Sequence, residues 1–373
     1  MRIGFGVTVL ARCLQHGGID GIGSYTRELM NRFTTNSSLD LVPFSFGYDL
    51  PLNDTLLFPA YTSVAALPAI SCLPFIGTRK LTGKVDLVHA PDHLIPNFGQ
   101  IPIVATLMDS IPLSHPEWVR KNFRKTKNLF WRRSAQWAAH IITISEYSKK
   151  DISAQFGITD EKISVIPLGV DERWFRPVST ERAELTIRKF DLPKKFFLCV
   201  GTLQPRKNIA RVIEAYRTLP QYAQCETALL IVGQAGWECE GIVSNLLAGT
   251  YGKSVRWLNY LHDDDLLAIM GRAVALVFPS LYEGFGLPVL EAFAAGTPVI
   301  TSDGSSLPEI AGDAAMLVNP TDTASIAEAM LELLGNPVLA TVLQKKGRAR
   351  ALNYTWDRTA AMTLEVYRQV LNI

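Results

Sequence analysis

Residues 274–301 read VALVFPSLYEGFGLPVLEAFAAGTPVIT. The stretch opens on a short apolar run, 274–279, and closes on a second, 297–301. Neither run alternates polar with apolar residues, which is how a strand buried on both faces reads. Between them Pro288 suits the first position of a helix, so the chain from 288 onward reads as helical and Gly284 to Leu287 as the end of the loop that feeds it. Strand, loop, helix and strand in this order make a parallel crossover unit.

The same grammar extends outward. Apolar runs recur at 196–203, 227–233, 255–261 and 315–319, and in the first half at 2–10, 85–90, 101–107 and 140–144. Helical-period segments separate them, such as the one that places Ile22, Tyr25, Leu29 and Phe33 on one face. The pattern predicts an α/β protein of two doubly wound, Rossmann-like lobes, with ligands taken in a cleft between them at the carboxyl ends of the strands. The first lobe is expected at 1–171 and the second at 196–355. A linker is expected at 172–195, where the chain is polar, carries Pro177 and Pro193 and lacks a strong period. Trp356, Ala360, Leu364, Tyr367 and Leu371 form a stripe at helical spacing, which predicts a closing helix over 356–373 that packs back on the first lobe.

Composition narrows the class. A chain of 373 residues, 48% hydrophobic and 19% charged, is long enough for two cores and is neither disordered nor membrane-embedded. A net charge of +2 does not point to nucleic acid. The cysteines at 13, 72, 199, 225 and 239 are odd in number and contain no CxxC, so free thiols in a reducing cytoplasm are expected. The apolar start is broken by Gly4 and Gly6 and has no small-residue cleavage site, so it reads as a first strand rather than a leader. The richest apolar stretch, Leu67 to Gly77, carries two prolines and falls short of the ~20 residues that span a bilayer. A soluble or peripheral protein follows. Residues 120–133 hold seven basic side chains and no acid, interleaved with Phe123, Leu129, Phe130 and Trp131. This segment reads either as an anionic membrane contact or as a solvated helix with its aromatics packed inward.

Chemistry is sought in the strand-to-helix loops. In Leu281-Tyr282-Glu283-Gly284-Phe285-Gly286-Leu287-Pro288-Val289-Leu290-Glu291 two carboxylates flank a loop of exposed amides. Gly284 and Gly286 let a ligand approach the backbone, and amides at a helix start favour a phosphate. Glu283 and Glu291 would accept hydrogen bonds from sugar or ribose hydroxyls; alternatively they serve only the helix dipole. The loop Gly201-Thr202-Leu203-Gln204-Pro205-Arg206-Lys207-Asn208 sets two cations at a helix start with Asn208 as the expected N-cap. The dipole disfavours cations there, a conflict that a bound diphosphate would relieve, unless the pair is simply solvated. The cluster Gly17-Gly18-Ile19-Asp20-Gly21-Ile22-Gly23 is weak by itself, since glycine clusters are more often turns than ligand loops. Asp263-Asp264-Asp265 precedes an apolar helical run and reads as a helix-opening acidic cluster in preference to a metal site.

Taken together, these loops and the two-lobe pattern resemble glycosyltransferase family 4, the retaining enzymes of GT-B fold. The resemblance covers nearly the whole chain. It rests on Glu283 and Glu291 within PSLYEGFGLPVLEAFAAGTPVITSD, on VGTLQPRKN at 200–208, and on SSLPEIAGDAAMLVNP and VIPLGVD. It implies that Arg206 and Lys207 bind the donor diphosphate. Glu283 and the amides of Gly284, Phe285, Gly286 and Leu287 would hold the donor sugar, and Glu291 the ribose. It further implies that Gly21 approaches the phosphates, that Tyr260 or Leu261 lies near the base, and that Asp109 lines the reaction site in an acceptor-binding first lobe. Met108 stands where the family often has histidine.

With no metal-binding DxD loop, the leaving diphosphate is expected to be stabilised by Arg206, Lys207 and helix amides, without metal or other cofactor. Glu283 and Asp109 are the expected catalytic residues. VIPLGVD, SLPEIAGDAAMLVNP and MDSIPLSHPEW look most like bacterial mannosyltransferases of polysaccharide assembly, which makes GDP-mannose the first expected donor. UDP-N-acetylglucosamine, UDP-glucose and dTDP-rhamnose stay open. The acceptor would be a saccharide, free or lipid-linked, reached from the cytoplasm or the inner membrane face. A nucleotide-sugar epimerase or a silent sugar-nucleotide-binding subunit are the competing classes.

Overall fold

The computed structural model describes residues 1–50, 55–65, 73–75, 77–119 and 124–373. Cys72, residues 120–123 of the basic segment and most of the Leu67 to Gly77 run lie outside the described residues. The chain forms two compact units, Met1–Gly169 with Trp356–Ile373, and Val170–Thr355.

The strands of the first unit are β1 (Arg2–Gly6), β2 (Asp40–Phe46), β3 (Leu56–Phe58), β4 (Leu87–Ala90), β5 (Ile103–Thr106), β6 (His140–Thr143) and β7 (Ile163–Val165). They make one parallel sheet in the order β3-β2-β1-β4-β5-β6-β7. Those of the second unit are β8 (Phe196–Val200), β9 (Ala228–Val232), β10 (Val255–Leu258), β11 (Ala275–Phe278), β12 (Val299–Ser302) and β13 (Met316–Val318). Their sheet is also parallel, in the order β10-β9-β8-β11-β12-β13. Both orders step outward from the first strand and then reverse, at β1/β4 and at β8/β11, which is doubly wound Rossmann topology. Two such units constitute the GT-B fold.

Some expectations need correction. The run 2–10 is a strand only to Gly6; Val9, Leu10, Ala11 and Cys13 then bury one face of a helix, Thr8–His16. Gly6 keeps β1 close to its neighbours, since a Cβ there would come within 3.0 Å of Pro91. Strands β2, β3 and β7 had no apolar run to mark them. The segment 172–195, expected as a linker, carries a helix, Thr180–Lys189, capped by Ser179. Its buried residues are Ala183 and Thr186, too small to give a visible period. Arg182 and Lys189 fasten it to the buried Asp265, at 3.1 and 2.6 Å.

Helix Trp356–Leu371 belongs to the first unit and packs beside helix Gly21–Thr34. A buried polar chain joins them to the sheet. Tyr367 meets His89 Nδ1 at 2.5 Å, His89 Nε2 meets Thr106 at 2.9 Å, and Tyr25 meets the same threonine at 3.0 Å. Burial lowers the His89 pKa to about 3, so this imidazole is a neutral structural link. In helix Arg124–Ala135, Phe130 and Trp131 pack against the first core, while Lys125, Lys127, Leu129, Arg132 and Arg133 face outward.

Candidate functional site

The two loops richest in chemistry leave the second sheet at its order reversal. One follows β8 and the other β11, and the crevice at such a point is where open α/β sheets take ligands. Leu281 N donates to Arg206 O at 2.8 Å, and Asn208 Nδ2 donates to Pro279 O at 3.0 Å and Pro320 O at 2.6 Å. Asn208 is the N-cap of helix Ile209–Thr218 by position, but its backbone is left-handed and its side chain makes no cap bond. That side chain stitches the loops together, which corrects the expected capping role.

The joined loops assemble three charges. Arg206 Nη1 lies 2.9 Å from Glu283 Oε2, and Lys207 Nζ lies 2.6 Å from Oε1. Arg206 also donates to Tyr282 O at 3.2 Å, and the Lys207 ammonium sits over the Phe278 ring. The Lys207 and Glu283 side chains are only 11% and 10% exposed, so the solvated-pair alternative is set aside. Burial pushes the Glu283 carboxyl up, but Lys207 and Arg206 outweigh it and hold the group below the usual carboxylate range. Burial draws the Lys207 ammonium down, with Glu283 pulling the other way. Two cations against one carboxylate leave a surplus of positive charge at the start of a helix, where the dipole adds to it. Such a point suits an anion that brings its own hydrogen-bond acceptors.

Beyond Glu283 the backbone turns through Gly286, at φ +127, into helix Leu287–Ala295. A Cβ at Gly286 would lie 2.8 Å from Leu307, so only glycine fits. The Phe285 ring is buried and meets Tyr354 edge-on. The helix starts one residue before Pro288, which places Glu291 fifth along it. Burial raises the Glu291 carboxyl to about 7; Arg173 opposes this, and Asp263 and Asp171 add to it. Arg173 in turn reaches Asp263 at 2.6 Å and Asp171 at 3.5 Å. Tyr260, exposed, and Leu261, buried, stand just before Asp263 on the same loop. Sequence reasoning missed Arg173, although VIPLGVD ends two residues before it.

The acidic run Asp263 to Asp265 opens helix Asp263–Met270, with Asp263 on Arg173 and Asp265 on Arg182 and Lys189. Among the described residues no three His, Cys, Asp or Glu side chains are grouped so as to hold a metal ion.

The sequence pattern described as Glycosyl transferases group 1 matches residues 182–350, and that described as Glycosyltransferase Family 4 matches residues 19–174. An O-antigen chain mannosyltransferase B of Escherichia coli is 30% identical over 283 residues, 76% of this chain and 74% of that protein. The chain belongs to glycosyltransferase family 4. A glycogen synthase of Mycobacterium tuberculosis is 28% identical to this transferase over 386 residues, 98% of this chain and 86% of the synthase. Sucrose-phosphate synthase from Thermosynechococcus elongatus shares the fold, with a TM-score of 0.77 at 20% identity, covering 100% of this chain and 99% of that one.

The remaining expected residues of the transferase, Gly21 and Asp109, fall in its first unit. Gly21 is the first residue of helix Gly21–Thr34, exposed, with open space where a Cβ would stand. The glycine cluster follows helix Thr8–His16 rather than a strand, and Gly17 is that helix's left-handed end. Asp109 follows β5 and accepts from Ile111 N at 3.0 Å. His93 is exposed near the end of β4, and His115 stacks on Trp118 at 4.1 Å.

The raised Glu291 gives a pH prediction. Below about 7 the carboxyl holds its proton, and above it the group is a carboxylate that only accepts hydrogen bonds, the form the expected ribose role needs. Nucleotide affinity of the transferase is therefore expected to rise with pH from 6 to 8 and then level off, and Glu291→Gln is expected to flatten the slope. Calorimetric titration across that range checks both; a slope that survives in the variant would assign it elsewhere.

Proposed function

We propose that this glycosyltransferase moves mannose from GDP-mannose, with retention, to a saccharide acceptor of a bacterial surface polysaccharide. The observation that carries the reading is the Arg206–Glu283–Lys207 cluster at the β8/β11 reversal, whose positive surplus matches a departing diphosphate. In this scheme the bond from C1 of the sugar to the diphosphate oxygen breaks, and the electron pair leaves with the nucleoside diphosphate. Arg206, Lys207 and the amides at the start of helix Ile209–Thr218 take up the new charge, so metal is not required. The acceptor hydroxyl attacks C1 from the same face and passes its proton to a donor phosphate oxygen. Glu283 and the amides of Gly284 to Leu287 hold the sugar, Glu291 holds the ribose, and the Tyr260–Leu261 loop lies beside the base. Gly21 is assigned to phosphate and Asp109 to the acceptor by the family resemblance alone.

Mannose is favoured by the mannosyltransferase relative and by the resemblance of 108–118 and 165–171; the glycogen synthase relative keeps a glucosyl donor as the second reading. A lipid-linked acceptor and a peripheral site on the inner membrane face accord with the outward Lys125, Lys127, Arg132 and Arg133 around Leu129. The test is release of nucleoside diphosphate from GDP-mannose, UDP-glucose, UDP-N-acetylglucosamine and dTDP-rhamnose, with product analysis, with and without vesicles containing anionic lipid. GDP-mannose is expected to give the highest rate and a transferred sugar, with a further gain on vesicles. A faster UDP-sugar would overturn the donor, an altered nucleotide sugar without transfer would indicate an epimerase, and no vesicle effect would remove the membrane contact.

A further inference from the structure

The loop after β12 supplies two serines that grip the Glu283 loop from behind. Ser306 is fully buried, and its Oγ donates to Glu283 O at 2.9 Å and to Phe285 O at 2.7 Å. One hydroxyl hydrogen is thus shared between two carbonyls two residues apart. Ser305 Oγ accepts from Glu283 N at 3.2 Å. Ser305 does so from a left-handed backbone, φ +57, which a non-glycine residue rarely adopts. Leu307, next in the chain, closes against Gly286.

The grip has a directional consequence. A trans peptide is planar, so its C=O and N–H point opposite ways. With Glu283 O and Phe285 O both turned onto Ser306, the N–H groups of Gly284 and Gly286 are aimed to the other side. The bond from Glu283 N to Ser305 fixes the residue whose carboxylate lies between Arg206 and Lys207. Backbone strain maintained at a single position beside such a loop is characteristic of sites where geometry serves chemistry.

We propose that Ser305 and Ser306 are positioning residues of the transfer reaction, holding Glu283 and the two glycine amides in the geometry that the sugar in transfer needs. The inference rests on the donor-site reading above. It separates two effects, because Arg206 and Lys207 lie on the other loop, whose backbone is held through Leu281 N, Gln204 O and Asn208, none of which the serines touch.

The experiment measures turnover, affinity for GDP and UDP, and melting temperature for Ser306→Ala, Ser306→Thr, Ser305→Ala and Ser305→Gly. Ser306→Ala is expected to lose at least tenfold in turnover with diphosphate affinity within threefold of wild type, and Ser306→Thr, which keeps the hydroxyl, to recover most of the loss. Ser305→Gly is the discriminating variant. Glycine suits φ +57, so the melting temperature is expected to hold or rise while turnover falls as it does in Ser305→Ala. Wild-type turnover in Ser305→Gly, or turnover and affinity falling together with stability in every variant, would overturn the proposal. If wild type binds neither GDP nor UDP, the donor-site reading itself fails and the serine assignment falls with it; if binding is normal and only the variants behave as wild type, the serine assignment alone fails.

Discussion

Glu283→Gln is expected to lower turnover by about a thousandfold, the upper range for loss of one preorganised group at a reaction centre, while affinity for the nucleoside diphosphate holds or increases. The reason lies in what Glu283 does in the free protein. Its two oxygens each pair with one of Arg206 and Lys207 and offset part of their charge, so it acts as an internal counter-ion for the cations proposed to take the diphosphate. Glutamine keeps the shape and removes the charge. The diphosphate then meets two cations with no competitor, whereas the sugar loses the group proposed to hold it. Lys207 responds as well, since burial already draws its pKa down and Glu283 is the main force raising it. Binding in the variant should therefore weaken on the alkaline side earlier than in wild type. Calorimetric affinities set beside steady-state rates check the split. A parallel loss of affinity and turnover would show that Glu283 organises the cations rather than the sugar.

Lys207→Met should lose about a hundredfold in turnover and, unlike the glutamine variant, should also destabilise the second unit by about 3–5 kcal/mol at neutral pH, as when one partner of a buried pair is removed. Methionine keeps an apolar stem against Phe278 but leaves Glu283 buried with Arg206 as its one cation. The sign of the pH effect follows from Glu283. In wild type its carboxyl is held below the usual range, so its contribution to stability is present above the unfolded-state pKa and fades as pH falls through the folded one. In the variant that contribution is already lost, so the gap in stability should be widest near neutrality and close on acidification. Denaturant melts at several pH values read it directly; a gap independent of pH would mean that packing, not charge, is what the lysine supplies.

How far the sequence disclosed this site depends on distance along the chain. Strands β8, β9 and β11 stood out because each is buried on both faces and unbroken by polar residues. Helix Thr8–His16 was hidden because its first apolar residues continue the composition of β1. Strand β2 was masked by Pro43 and Ser45, and helix Thr180–Lys189 by the small size of its buried residues. The loops at 201–208 and 279–287 were legible for the same reason as their strands. Their union was not, since Arg206 and Lys207 meet Glu283 across 77 and 76 residues and no local signal records it. The serines at 305 and 306 sat inside a quoted motif, yet a Ser-Ser pair before Leu-Pro looks like an ordinary helix entry until the carbonyls it holds are seen. Arg173 fell where the polar character of the chain had suggested a linker.

Where the diphosphate is held is tested most directly by a crystal structure of the protein with GDP or UDP bound. The β-phosphate oxygens are expected within hydrogen-bond distance of Arg206 and Lys207, outside the carboxyl ends of β8 and β11, with the ribose on Glu291. A diphosphate bound elsewhere, with both cations still closed on Glu283, would contradict it.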